Sequence, residues 1–191
     1  MQDLVLKNIA KHILLEEDEA AYFFSLLKEK KHPKKSIILK EGEVCKTIIF
    51  VQSGTLRAFY RDQEGKESTI MFAISDWWIT DMACFINHQP AILNIETIEV
   101  SHVLHLQKED LDDLYLKIPK FERFFRIIMQ NAYIREQLRV IQNLSLSAEQ
   151  RYYIFLEKYP QIVKQVTQKQ IASYLGITPE FLSMIKANKK K

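Results

Sequence analysis

Two kinds of hydrophobic pattern alternate along the chain and divide it into helical and strand-forming stretches. In residues 3–31 the apolar positions recur every three or four residues with charges between them, which predicts helix. The lysine-rich run 28–35 closes this stretch, because Pro33 prevents the helix from continuing. Over residues 36–107, short runs rich in Ile, Val, Phe, Thr and Tyr are cut by turns, a pattern typical of an antiparallel β roll or barrel.

A second helical pattern begins near Pro119 and runs for about 25 residues. Its apolar surface is wider than one packing partner needs, which favours a dimerisation helix over the alternative, a long helix folded back on its own β domain. The apolar positions of this face are Phe121, Phe124, Phe125, Ile127, Ile128, Ala132, Ile134, Leu138 and Ile141. A capping box at residues 147–150 then starts a short helix that ends before Pro160.

Residues 166–186 carry the spacing of a helix-turn-helix. Thr167 with Gln170 three residues later matches a second capping box, which starts the first helix. Gly176 suits a left-handed corner, and Pro179 is favoured as the first residue of the second helix. The small or apolar residues that would close the core between the helices are Ala172, Leu175, Leu182 and Ile185. In such a unit the second helix enters the DNA major groove; a chance αα-hairpin and a protein-binding bundle are the alternatives.

The candidate DNA-contacting residues lie opposite this core or at the start of the first helix. They are Gln168, Lys169, Thr178, Glu180, Ser183, Met184 and Lys186, with Ala187 and Lys189–Lys191 as further positions. Hydroxyl groups can bond base edges or phosphate, the glutamate can accept from a cytosine amino group, and the glutamine and lysines are placed for phosphates. The segment has no arginine, so the commonest bidentate contact to guanine is missing.

The charge distribution supports a polyanion-binding end. The 191 residues carry 27 Lys+Arg and 24 Asp+Glu, a net charge of +3. Residues 164–191 hold six lysines and one acid (6 − 1 = +5), which leaves 21 − 23 = −2 on the rest of the chain. A solubilising lysine tail is the other interpretation of this block.

The composition excludes several classes of protein. Two cysteines cannot supply a disulfide framework or a four-thiolate metal or iron–sulfur site, and four glycines exclude Gly-rich phosphate loops. No stretch of about 18 apolar residues and no secretory signal pattern occurs, so we expect a cytoplasmic protein without membrane contact.

With a β roll, a long helix and a helix-turn-helix in this order, the chain resembles a Crp/Fnr-family transcriptional regulator over nearly its whole length. The resemblance is carried by residues 41–67, 145–160 and 166–183. It implies an α+β fold: an N-terminal antiparallel β jelly roll flanked by helices, a long dimerisation helix and a C-terminal winged helix-turn-helix. Because little sequence follows Lys186, any wing must precede the motif or be vestigial.

The resemblance also implies three regions of the chain with different roles. Residues 1–117 would form a cyclic-nucleotide-binding-like sensor domain, 118–145 the linker and dimerisation helix, and 146–191 the DNA-binding domain. The implied partners are double-stranded DNA, a second copy of the chain and RNA polymerase, and no enzymatic activity is expected. The hypothesis from another class is a cyclic-nucleotide-binding-like regulatory or scaffold protein without DNA binding.

The effector pocket departs from the family pattern. Members that bind a cyclic nucleotide use a Gly-Glu pair for phosphate and ribose, and an Arg-Ser pair to neutralise the phosphate. Here Thr80 and Asp81 stand in the first place and Ala91 and Ile92 in the second, with Met82 as a further candidate pocket residue. Without the arginine a buried phosphate charge is uncompensated, so we predict no tight binding of cyclic AMP and no resident cofactor; another small effector is the alternative.

Other candidates for chemistry are weaker. Four apolar residues would either line an apolar pocket or pack in the core, and core packing explains them better. They are Trp77, Trp78, Met82 and Phe85. His102 and His105 fall on opposite faces of a predicted strand, which argues against a shared metal ion and so against a cupin-like enzyme. Cys45 beside Lys46 is either a redox-active or a passive thiol.

Overall fold

A computed structural model describes residues 3–188 of the chain as a β roll with helices on both sides of it in sequence. The helices before and within the roll are α1 Asp3–Ala10, α2 Glu17–Leu26 and α3 Met82–Asn87. The strands are β1 Leu27–His32, β2 Ile37–Leu39, β3 Thr47–Ser53, β4 Thr55–Arg61, β5 Glu67–Ile74, β6 Trp78–Ile79, β7 Asn94–Thr97 and β8 Ser101–Gln107. The helices that follow are α4 Lys108–Lys117, α5 Lys120–Ser145, α6 Ala148–Lys158, α7 Pro160–Gln165, α8 Gln168–Leu175 and α9 Pro179–Asn188.

Within the described residues the roll consists of two antiparallel sheets packed face to face. One has the strand order β1-β8-β3-β6 and the other β2-β7-β4-β5. Gly54 joins β3 to β4 at φ +94°, and an added Cβ there would lie 2.7 Å from the carbonyl oxygen of Val100. Glycine is therefore required at this corner, since any side chain would meet both backbone strain and a clash. This arrangement agrees with the jelly roll that the sequence predicts.

The prediction of helix throughout residues 3–31 is wrong at its end. Helix α2 stops at Leu26, and Leu27–His32 forms β1, which pairs antiparallel with β8 from Leu27 opposite Leu106 to His32 opposite Ser101. The lysine-rich run has no alternation of apolar residues to signal a strand. It becomes one because β8 offers it a ladder of backbone hydrogen bonds.

The interior of the roll holds a buried histidine besides its apolar core. His105 lies on β8 with Nδ1 3.2 Å from the Thr47 hydroxyl oxygen. Burial, with smaller contributions from the charges of Lys30 and His32, lowers the pKa of His105 to about 4. This imidazole is therefore neutral in the folded protein at physiological pH.

Helix α5 has two different parts. Its first turns pack on the roll, where Phe121, Phe124 and Phe125 are buried in a stack that includes Trp78. The apolar residues of its second half are instead exposed: Tyr133, Ile134, Leu138, Val140, Ile141 and Leu144. Neither α5 nor any other helix within residues 3–188 combines the length and apolarity needed to cross a membrane.

Helices α6 to α9 form a second, smaller core. It is built around Tyr152, Phe155, Ile162, Ile171, Ala172, Leu175, Leu182 and Ile185, and it includes Phe72 and Ile98 from the roll. The small helical domain is thus packed against the outer face of the sheet that contains β5. Residues 108–188 are connected by helices without a strand, so this part of the chain contains no wing hairpin.

Candidate nucleic-acid interface

The first helix of the predicted motif, α8, begins and ends at the capping residues that the sequence predicts. Thr167 caps α8: its hydroxyl oxygen accepts the N–H of Gln170 at 3.2 Å, and the Gln170 carboxamide accepts the N–H of Thr167 at 2.9 Å. Gly176 ends α8 in the left-handed conformation at φ +68° and ψ +32°, and the N–H of Ile177 returns to the carbonyl of Ala172 at 3.0 Å. The capping box and the left-handed glycine are confirmed, and together they set the corner between α8 and α9.

The same turn starts the second helix. The Thr178 hydroxyl oxygen accepts the N–H of Phe181 at 3.2 Å, and Pro179 is the first residue of α9. Ala172 and Leu182, both 0% exposed, meet between the helices, and Leu175 and Ile185 close the core around them. A small residue on α8 allows this close approach, and the burial of one side of α9 leaves its other side outward.

The predicted contact residues lie on that outward side or beside it. Glu180, Ser183 and Met184 are exposed on α9, and Thr178 is exposed just before it. Gln168 and Lys169 are exposed at the start of α8, whereas Lys186 is half-buried. Lys189–Lys191 lie outside the described residues. Sequence reasoning missed Phe181, which is 46% exposed at the border between the buried and outward sides of α9. Only its place at the edge of the apolar stripe hinted at this exposure.

Hydrogen bonding defines what the outward side of α9 can offer. The Ser183 hydroxyl donates to the carbonyl of Pro179 at 3.0 Å, which leaves its oxygen as an acceptor. Thr178 accepts from the backbone and keeps its own proton to donate. Glu180 adds a carboxylate, and Met184, 61% exposed, adds an apolar contact. The face therefore combines one donor, two acceptors and an apolar group within two turns.

Basic residues flank this face. Lys164, Lys169 and Lys186 form no ion pair with any residue in 3–188. Glu180 is the one acid within residues 164–188. The surface around α8 and α9 is thus cationic with an uncompensated charge, as a surface that meets phosphates requires.

The helix-turn-helix is fixed to the roll by polar contacts from the inner side of α8. The Ser173 hydroxyl accepts the N–H of Thr69 at 2.8 Å and donates to the carbonyl of Glu67 at 2.7 Å, both in β5. Arg139 of α5 donates to the carbonyls of Thr69 and Tyr174 at 3.2 Å and to that of Ile70. Its guanidinium lies 4.3 Å from the Tyr174 ring centroid. One arginine thus links the long helix, the roll and the helix-turn-helix.

The predicted effector residues come together around a carboxylate. Asp81, 1% exposed, accepts the N–H of Cys84 at 3.2 Å, of Ile92 at 2.8 Å and of Leu93 at 2.9 Å. Ala91 is buried beside it, and the Ile92 side chain points outward at 56% exposure. The backbone donors that an incoming phosphate would need are therefore already bonded to an anion of the chain itself.

A groove runs between the roll and α5. It has a volume of about 640 Å³ and includes Thr80, Met82, Trp77 and Trp78 in its lining, with Ile128 on the opposite wall. Phe85, the fourth residue of the predicted apolar set, is buried in the core of the roll and does not line the groove. The groove is mainly apolar on the side of the tryptophans, and Arg135 and Glu136 of α5 lie at its edge.

Comparison with known proteins gives a consistent result. The family model of the cyclic nucleotide-binding domain matches residues 29–117. Regulatory protein HlyX of Actinobacillus pleuropneumoniae is 24% identical over 202 residues, covering 96% of this chain and 81% of that protein. The fumarate and nitrate reduction regulatory protein of Escherichia coli (strain K12) is 23% identical over 196 residues, covering 96% of this chain and 78% of that one.

A solved structure shares the fold along both chains. It is the c-di-GMP-responsive global regulator CLP of Xanthomonas campestris, with a TM-score of 0.74 at 14% identity and a coverage of 92% of each chain. The order of β roll, long helix and helix-turn-helix, the domain match and the full-length relatives agree with the resemblance read from the sequence. The chain therefore contains a match to the cyclic nucleotide-binding domain and is similar over nearly its whole length to regulatory proteins of the Crp/Fnr type.

Proposed function

We propose that the chain is a transcriptional regulator that binds double-stranded DNA as a homodimer. The observation that carries this proposal is α9, which buries Leu182 and Ile185 and turns a polar side outward between unpaired lysines. An α-helix presented in this way fits the major groove, and its N-terminal residues reach base edges. We further propose that the protein acts by binding rather than by catalysis, that it works in the cytoplasm, and that RNA polymerase is its partner at promoters.

The expected recognition is more electrostatic than sequence-specific. Gln168, Lys169 and Lys186 would contact phosphates, while Thr178, Glu180, Ser183 and Met184 would face base edges. Glutamate can accept from the amino group of cytosine, and the methionine can contact the methyl group of thymine. Since no arginine lies among these positions, affinity rests mainly on the lysines.

A second copy of the chain would cover the exposed half of α5. Ile127, Ile134 and Ile141 recur at intervals of seven residues, the spacing of a two-stranded coiled coil, and Leu138 and Leu144 flank them. Two helix-turn-helix units held in this way would meet half-sites about one helical turn of DNA apart. We assign residues 1–117 to the sensor domain, 118–145 to the dimerisation helix and 146–191 to the DNA-binding domain.

The sensor domain would not respond to cyclic AMP. The Asp81 carboxylate holds the N–H groups around Ile92, and no cation stands at Ala91 to neutralise a phosphate. A cyclic phosphate entering here would place two negative charges side by side, which costs several kcal/mol in a buried site. Calorimetry that measured micromolar affinity for cyclic AMP would contradict this part of the proposal.

Selection of bound sequences from random duplex DNA tests the main proposal. The enriched sequences should contain two related half-sites, and the logarithm of the binding constant should fall steeply with the logarithm of the salt concentration. Lys169→Ala and Lys186→Ala should each weaken binding to all sequences and lower the salt slope by about 1. The control is Lys66→Ala, in the exposed turn between β4 and β5, which should leave both quantities unchanged.

The dimer has its own test. Ile134→Glu and Ile141→Glu should convert the protein to a monomer in analytical ultracentrifugation and abolish tight DNA binding. Leu116→Glu is the matched control, because that leucine is 84% exposed on α4, away from the stripe. If duplex DNA is not retained by the wild-type dimer at low salt, the scaffold protein without DNA binding becomes the better description.

A further inference from the structure

The two cysteines of the chain lie 39 positions apart in sequence and meet in the structure. Cys45 precedes β3, and Cys84 lies in the first turn of α3. The backbone N–H of Cys45 donates to Sγ of Cys84 at 2.8 Å. The segment before Cys45 is held to the loop after α3, since Val44 pairs with Pro90. The contact between the cysteines therefore belongs to an ordered part of the roll.

The geometry suits a disulfide. The Cys45 nitrogen is bonded to the Cα that carries the thiol, so Sγ of Cys84 lies within about 4.3 Å of that Cα, given an N–Cα bond of about 1.46 Å. Disulfides join Cα atoms that are usually about 4.4–6.8 Å apart, and a contact this short between the sulfur of one cysteine and the backbone of the other is consistent with that range.

Both thiols are buried, but only Cys45 lies at the wall of a cleft. Cys45, 5% exposed, lines an open cleft of about 210 Å³ whose lining also includes Lys28, Lys30 and Lys46. Cys84 is 1% exposed and lies behind it, and burial raises the pKa of its thiol. A small reagent that enters the cleft therefore meets Cys45 before Cys84, beside the three lysines of the lining.

We propose that Cys45 and Cys84 form a peroxide-responsive dithiol site, with Cys45 as the attacking and Cys84 as the resolving thiol. Cys45 sulfur attacks hydrogen peroxide and breaks its O–O bond, giving a sulfenic acid on Cys45 and one molecule of water. Cys84 sulfur then attacks the sulfenic sulfur, and the S–S bond forms as the hydroxyl leaves as a second molecule of water. The two electrons that reduce the peroxide come from the two sulfurs, and a dithiol reductant returns the disulfide to the two thiols by thiol–disulfide exchange.

The disulfide would tie α3 to the segment before β3. Helix α3 follows Asp81, and Thr80 both lines the groove beside α5 and lies 3.1 Å from Sγ of Cys45 through its hydroxyl oxygen. Oxidation would therefore hold one wall of the groove in place. This chemistry belongs to the roll alone and does not depend on DNA binding.

Non-reducing peptide mapping of the full-length protein tests the proposal. After treatment of the reduced protein with hydrogen peroxide, trypsin should release residues 41–46 joined to residues 67–108, and both alkylatable thiols should be lost. Cys84→Ser should stop at a sulfenic acid on Cys45 that dimedone traps. In Cys45→Ser, oxidation of Cys84 should be at least about tenfold slower, because its thiol is shielded.

Three results would overturn the proposal. Both thiols of the wild type could remain alkylatable after exposure to peroxide, the cross-link could join two chains, or Cys84 could oxidise as fast without Cys45 as with it. The wild-type map needs no substituted protein, so it decides the matter even if a serine variant folds poorly. Amide exchange of residues 82–87 gives a second measurement and should slow on oxidation and recover on reduction.

Discussion

Replacing Asp81 by alanine removes one carboxylate that three backbone N–H groups share. Those donors belong to Cys84 at the start of α3 and to Ile92 and Leu93 in the loop before β7. Asp81→Ala leaves all three without their acceptor and severs the link between the helix and the loop. We expect the roll to lose stability and the loop to become more mobile.

The magnitude follows from the burial of each donor. A buried donor left without a partner costs about 1–3 kcal/mol. The Cys84 N–H is enclosed, whereas the loop at Ile92 is close to solvent, since that side chain is 56% exposed, and water can partly replace the lost acceptor there. The expected loss in the free energy of unfolding is therefore about 3 kcal/mol for Asp81→Ala. Asp81→Asn keeps one acceptor oxygen and should lose about half as much.

Urea unfolding followed by tryptophan fluorescence measures this loss, because Trp77 and Trp78 both belong to the roll. The matched control is Glu41→Ala, an exposed acid on the same side of the roll, which should change stability by less than about 0.5 kcal/mol. Added phosphate should restore part of the stability of Asp81→Ala by occupying the vacated donors. If the free energy of unfolding of Asp81→Ala lies within 0.5 kcal/mol of the wild-type value, roughly the error of the method, the Asp81 carboxylate does not hold these three N–H groups.

Three further outcomes can be measured. Leu182→Ala should cost about 2–5 kcal/mol in the unfolding of the helical domain, because the side chain is fully buried, and calorimetry that showed no change would contradict the assigned core. His105 has a pKa of about 4 in the folded protein and about 6.5 in the unfolded chain, so the unfolded chain binds more protons between these pH values. The free energy of unfolding of wild type should therefore fall by about 2–3 kcal/mol as the pH is lowered from 6.5 to 4. His105→Gln should flatten this dependence in urea titrations, and His102→Gln should not. Ser173→Ala should cost about 1–2 kcal/mol and speed amide exchange in β5, whereas Ser183→Ala, on the exposed side of α9, should do neither.

Local signals made the helix-turn-helix predictable. The capping box at Thr167, the left-handed Gly176 and the apolar spacing of α9 are each decided within a few residues, so the sequence contains them in full. The residues that face outward on α9 follow from helical periodicity alone. The border residue Phe181 shows the limit of that argument, because its exposure depends on how far the neighbouring helices reach.

Contacts between distant parts of the chain were not predictable. Strand β1 looks like the charged end of a helix until β8 pairs with it, and Ser173 looks like an ordinary helical serine until β5 lies against it. The role of Asp81 was also hidden, since its partners follow it by up to twelve positions and bend back to it. In each case the deciding partner is a backbone group, and a backbone group has no signature in a single sequence.

The hydrogen bonds that Ser173 and Arg139 make to the backbone of β5 have a consequence for solubility. Strand β5 is at the end of its sheet, and backbone groups of Glu67, Thr69 and Ile70 are bonded to the side chains of Ser173 and Arg139. A bare strand edge of this kind pairs readily with an edge of another molecule. The helical domain formed by α6 to α9 thus covers this strand edge, and a large movement of that domain would expose it. Movements that transmit a signal should be small enough to keep this edge covered. Variants that remove the hydrogen bonds of Ser173 or Arg139 to β5 should aggregate before they lose their fold.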